Sequence, residues 1–250
     1  MVLETDRLPD IVQEFVSYSD MLKDAVQKAT LELLKDIRVM LYDSEIGRWL
    51  GIGNMSRQSE YHAPLQDLRA DKACEFFVKD PALLTWYRAS DSQHLVILGD
   101  MGYGKTVGMS FLVDEFRRRE KCQLPQLKVC YCFCRDDETG KGTYMFSALV
   151  LSLLEVLPGL KRPFFEGDKQ TRASGIFDPA TDFKKLAEFL QRLLNAIDRP
   201  VFIVVDGLDE CDGTSRHGLI EFLKSLSRKT SATVKTIHAG VPPSIPEQQQ

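Results

Sequence analysis

Residues 93–106 read QHLVILGDMGYGKT. A short apolar run ends at Gly99, and four residues later Gly104-Lys105-Thr106 opens a stretch of helix length, TVGMSFLVDEFRRR. Strand, glycine loop and helix in that order match the phosphate-cradling spacing G-x-x-x-x-G-K-[ST]. The glycines let the backbone curl until successive N–H groups point inward at phosphate oxygens. The helix behind adds its positive end. Gly99, Asp100, Met101, Gly102, Tyr103, Gly104, Lys105, Thr106 and Val107 are therefore the expected nucleotide-binding residues. In such loops the lysine reaches the β- and γ-phosphates, and the threonine gives its hydroxyl to Mg²⁺.

Working outward, a second apolar run, VFIVV (201–205), meets a knot of carboxylates at Asp206, Asp209, Glu210 and Asp212. Buried unpaired anions are costly, so a strand tip of this kind anticipates a cation. A strand beside the first one, ending in an Asp that holds Mg²⁺, is the usual complement of the glycine loop. Asp206 takes that role with Thr106. Mg²⁺ keeps several waters, so one Asp and one Thr suffice beside the phosphates. Glu210, with Asp209 as the alternative, is the candidate for polarising an attacking water. Asp212 reads as the cap of the next turn.

The flanking segments set the architecture. LKVCYCFC (127–134) is a strand candidate, with Cys130, Cys132 and Cys134 alternating onto one face as buried thiols. Apolar helices are expected over 143–157, 182–197 and 217–227, with a weaker strand over 232–239. Near-continuous apolar strands alternating with helices give a parallel sheet covered on both faces, a three-layer α/β/α fold. Residues 9–42 carry Ile11, Phe15, Tyr18, Leu22, Ala25, Ala29, Leu33 and Ile37 at steps of three and four. That is one helical face, read as a bundle segment, with a coiled-coil or partner-binding helix as the alternative. Residues 43–72 read as turns and linker. The expected organisation is an N-terminal helical segment (1–60), a P-loop domain (61–242) and a Pro/Gln tail (243–250).

Of the 250 residues 44% are hydrophobic and 27% charged, with net charge −4. That mild acidity gives no ground for a nucleic-acid or anionic-membrane partner. No apolar run approaches the roughly 18 residues of a membrane helix, and the start lacks the basic and apolar regions of a secretion signal. A cytoplasmic location is expected.

The glycine loop and VVDGLDEC (204–211) together resemble the NACHT group of STAND-class signalling NTPases, and within it the nephrocystin-like modules abundant in filamentous fungal proteins. The likeness spans roughly residues 60–240. It includes KACEFFVKDPALLTWYRASDSQHLVILGDMGYGKT (72–106) and VCYCFCRDDETGKGTYMFSALVLSLLEVLP (129–158). The resemblance implies a molecular switch that binds Mg-ATP or Mg-GTP and hydrolyses it slowly. Its triphosphate form is active and oligomeric, so a homo-oligomer or full-length NACHT relatives are the expected partners. The competing reading is a non-catalytic, truncated module that pairs with such relatives. Where the family places an arginine that senses the γ-phosphate, this chain has Val241 before Pro242. His238 and Arg135 are substitute donors, and slow turnover is expected unless a partner supplies an arginine. The family continues beyond the matching stretch, so a truncated or divergent member with an unpaired sheet edge is anticipated.

Overall fold

The computed structural model of the protein describes residues 8–52, 56–70, 72–122, 126–135, 140–161 and 182–240. Its contacts divide the chain into two units, Met1–Glu45 and Ile46–Gln250. In the first unit the described residues belong to α1 (Leu8–Trp49), which runs on to Trp49 in the second.

The second unit is built on four parallel strands: β1 (His94–Leu98), β2 (Lys128–Phe133), β3 (Val201–Asp206) and β4 (Val234–Gly240). Their order is β1-β4-β3-β2. Every pair is parallel, and the register sets Val96 beside His238, His238 beside Val205 and Val205 beside Cys132. The strand bearing Asp206 is thus not beside β1, as the sequence led us to expect. β4 lies between them, because the last strand among the described residues enters the middle of the sheet.

Alternation along the strands feeds two helical layers. Tyr131, Phe133, Phe202, Val204, Ile237 and Ala239 pack with Met109, Leu112, Val113 and Phe116 of α5 (Lys105–Glu120), and with Leu83 and Trp86 of α4 (Pro81–Arg88). The opposite side is covered by α6 (Gly142–Val156), α7 (Phe183–Asn195) and α8 (Gly213–Lys229). This is a three-layer α/β/α fold with an N-terminal helix. Asp80 caps α4 by accepting from Ala82 and Leu83 N–H at 2.8 and 3.0 Å, with Pro81 as its first residue. The buried Lys235 closes the other end of α4, donating to the carbonyls of Trp86, Tyr87 and Ala89.

Within the stretch read as linker, α2 (Ser56–Asp67) forms despite Pro64. Propensity argues against it, since proline removes one ladder donor. Its inward stripe is polar and aromatic, which hides it from a search for apolar periodicity. His62 and Leu65 are buried, and Arg69 beyond the helix end pairs with Asp114 of α5 at 3.0 Å. Gln58 docks on the outer edge of β2, accepting from Phe133 N–H at 2.7 Å and donating to its carbonyl at 3.3 Å. Ser152 Oγ accepts from Tyr131 N–H at 3.2 Å. Side chains thus fill the hydrogen bonds that a further strand would have made.

Candidate functional site

The glycine loop stands where β1 hands over to α5. Gly102 and Gly104 take φ of +86° and +72°, left-handed values that L side chains adopt only at a cost. That is why the loop turns sharply enough to aim Lys105 back over itself. Its ammonium donates to the carbonyls of Gly99 at 2.9 Å and Asp100 at 3.0 Å. Asp100, Met101 and Tyr103 are exposed on the loop's rim, with Met101 89% accessible. Thr106 and Val107 begin α5, and the Gly108 N–H returns to the Gly104 carbonyl at 2.9 Å.

Gly108 sits one turn behind the cradle, and α3 (Glu75–Lys79) lies on it. A Cβ there would fall 2.4 Å from Phe77 Cε2, and Phe76 stacks on Phe77 with ring centroids 4.3 Å apart. The segment before the sheet is therefore locked onto α5. Sequence reading missed this role for Gly108; the glycine in TVGMS was its only visible trace.

Asp206 ends β3 and is 3% exposed. Although β4 separates their strands, the Thr106 side chain comes close enough to the Asp206 carboxylate to favour its charged form. Burial pushes Asp206 up to about 6. Asp209 and Glu210 add to the rise, while Thr106 and the Gly207 N–H oppose it. The main chain here is fixed. The Cys134 N–H donates to the Asp206 carbonyl at 3.0 Å, and Gly207 has φ +76° with its would-be Cβ 2.1 Å from the Cys134 carbonyl oxygen. Only glycine fits.

Beyond it, Leu208 is buried while Asp209 and Glu210 are exposed on a single 3₁₀ turn, closed by Glu210 N–H to the Gly207 carbonyl at 3.0 Å. The buried Cys211 ends the turn, its thiol directed at Met145 Sδ (3.4 Å) and the Gly207 carbonyl (3.6 Å). Asp212 caps α8, accepting from Thr214 and Ser215 N–H at 3.1 and 2.9 Å. Of the four acids in the knot, Asp206 is buried, Asp209 and Glu210 are exposed, and Asp212 is a helix cap.

The two substitute donors are placed differently. His238 is buried against His94, ring centroids 4.8 Å apart, and His94 opens β1 while the loop follows that strand's far end. Burial, with His94 and Lys224 nearby, lowers His238 to about 4, so it is a neutral core group and not the phosphate-side donor suggested by its strand position. The Arg135 guanidinium lies over the Tyr61 ring at 5.4 Å. Val241 and Pro242 lie outside the described residues. Among the described residues no group of three or more His, Cys, Asp or Glu is arranged to hold a metal. The donor set that fits Mg²⁺ is smaller: one hydroxyl, of Thr106, and one buried carboxylate, of Asp206, which leaves room for water and phosphate oxygens.

The glycine loop, Asp206 and its turn all fall within residues 72–239, which match the family model described as Nephrocystin 3, N-terminal. The chain belongs to this family. As a nephrocystin 3 N-terminal family member it is also similar to the Vegetative incompatibility protein HET-E-1 of Podospora anserina, 27% identical over 157 residues. That match covers 61% of this chain and 11% of the fungal protein. The chain therefore spans about a tenth of the length of that curated relative. No helix among the described residues is long and apolar enough to cross a membrane.

Proposed function

We propose that this protein is a NACHT-type nucleotide switch of the STAND class. It takes a Mg²⁺-bound nucleoside triphosphate, ATP or GTP, at the glycine loop, hydrolyses it slowly, and works in the cytosol in signalling of the incompatibility kind named in its fungal relative. The observation that carries the reading is the approach of the Thr106 hydroxyl to the buried Asp206 carboxylate across β4. Two residues 100 positions apart meet beside a loop bent by two left-handed glycines, and one of them is a buried carboxylate.

In this reading the N–H groups from Gly102 to Val107 and the first turn of α5 receive the phosphates. Lys105 exchanges its bonds to the Gly99 and Asp100 carbonyls for phosphate oxygens. Thr106 and Asp206 would hold Mg²⁺, which would supply positive charge to offset that of the phosphate oxygens. Glu210, with Asp209 beside it, orients and deprotonates water from an exposed turn.

The test is the metal dependence of nucleotide binding. A fluorescent ATP analogue is expected to bind the wild-type chain more tightly with Mg²⁺ than with EDTA, and Thr106→Val is expected to erase that difference while leaving weak metal-free binding. Equal Mg²⁺ enhancement in folded Thr106→Val would refute the assignment.

A further inference from the structure

The two phenylalanines of α3 are neighbours in sequence with opposite environments. Phe77 packs against the main core cluster and fills the space beside Gly108. Phe76 stacks on it, ring centroids 4.3 Å apart and planes 29° from parallel, yet is 61% exposed. One ring is an anchor, and the other is a flat apolar surface that the anchor holds in place. The backbone beneath is fixed too. The Phe77 N–H donates to the Cys74 carbonyl at 3.1 Å and the Asp80 N–H to the Phe77 carbonyl at 3.1 Å, and Asp80 then caps α4.

The helix that carries this pair decides what the surface is for. Gly108 belongs to the first turn of α5, its N–H bonded to the Gly104 carbonyl at 2.9 Å, and stands about 4.5 Å along the axis from Lys105. A nucleotide whose phosphates rest on that turn has to lay its sugar and base over a neighbouring surface. α3 is the element packed on Gly108, and Phe76 is its exposed ring. We propose that Phe76, backed by Phe77, is the platform on which the nucleobase stacks, an inference that rests on phosphate binding at the glycine loop. Base–aromatic stacking uses the π-face that every base has, so it holds without reading a hydrogen-bonding edge. The platform therefore strengthens adenine and guanine nucleotides alike. Phe77 has a positioning role, because its ring fixes Phe76 against α5.

Calorimetric titration of the full chain separates base from phosphates. Mg-ATP, Mg-GTP and Mg-tripolyphosphate, which has three phosphates and no base, are titrated into the wild type and Phe76→Ala. The variant is expected to bind ATP and GTP about 10-fold more weakly, by the same factor for each. Its affinity for tripolyphosphate is expected to equal that of the wild type. Phe76 is exposed, so the variant is expected to fold, and its thermal transition checks this. Phe76→Trp supplies a second readout that needs no truncation: it is expected to keep the ATP affinity, and its added fluorescence to be quenched by Mg-ATP and not by Mg-tripolyphosphate. Unchanged ATP affinity in Phe76→Ala, an equal loss of tripolyphosphate binding, or no base-dependent quenching in Phe76→Trp overturns the platform and leaves the glycine loop in place. A folded wild type that binds neither tripolyphosphate nor ATP overturns the phosphate site, and the platform with it.

Discussion

The Phe77 ring occupies the space a side chain at Gly108 would need, its Cε2 2.4 Å from an ideal Cβ. Helix propensity alone would reward Gly108→Ala by nearly 1 kcal/mol. Overpacking against a rigid ring outweighs that gain, and a net loss of about 1–2 kcal/mol is expected. Thermal denaturation of Gly108→Ala, Phe77→Ala and the double variant checks it. The two changes should be less than additive, because removing the ring removes the clash.

Gly207 is more demanding. Its would-be Cβ meets a backbone oxygen, Cys134 O, at 2.1 Å with φ +76°, and backbone cannot swing aside as a ring can. Gly207→Ala is expected to cost about 3 kcal/mol or more, read as a fall in Tm or in soluble yield. A variant as stable as the wild type would show that the β2 tip and the Asp206 turn are not locked together.

Two buried groups give opposite pH dependences. His238 is held near 4, so the unfolded chain takes up a proton first as pH falls from 6.5, and stability is lost through to pH 4, by about 3 kcal/mol. Asp206, held near 6, is ionised at a cost above that pH. In Mg²⁺-free buffer its contribution improves as pH falls from 6 to 3.8, again by about 3 kcal/mol. Asp206→Asn is expected to raise Tm at pH 7 and to gain little at pH 4. His238→Asn is expected to gain relative to wild type as pH falls. A Tm for Asp206→Asn below wild type at pH 7 would contradict the first sign.

Glu210 is exposed on its turn, so Glu210→Gln should leave fold and Mg-ATP binding unchanged. Phosphate release is expected to fall by about 100-fold or more, the usual worth of a general base. Full release with Glu210→Gln and loss with Asp209→Asn would move the role to Asp209.

The sequence shows the glycine loop and the Asp206 strand plainly, because both signals are local. Buried parallel strands read as apolar runs, and Gly102 and Gly104 sit where the turn demands them. What it hides is non-local. Nothing in residues 232–239 announces that β4 enters between β1 and β3, or that Lys235 turns inward to three carbonyls of the α4 end. α2 escapes because its inward residues include Gln58 and His62, which act by hydrogen bonds and ring contacts that no hydrophobic pattern records. The apolar stripe of α1 is legible and its helix forms, but periodicity cannot tell a covered face from the exposed one found here.

The most direct test of nucleotide binding is calorimetric titration of Mg-ATP into the folded chain, with Lys105→Ala alongside. The hydrogen bonds of the Lys105 side chain go to two loop carbonyls at the rim of the fold, so the variant should fold normally. Loss of a charge-assisted phosphate contact is worth about 1.5–3 kcal/mol, and the account predicts a 10- to 150-fold weaker Kd. Equal affinity in wild type and variant, or no heat and no binding with either Mg-ATP or Mg-GTP in the folded wild type, would contradict it.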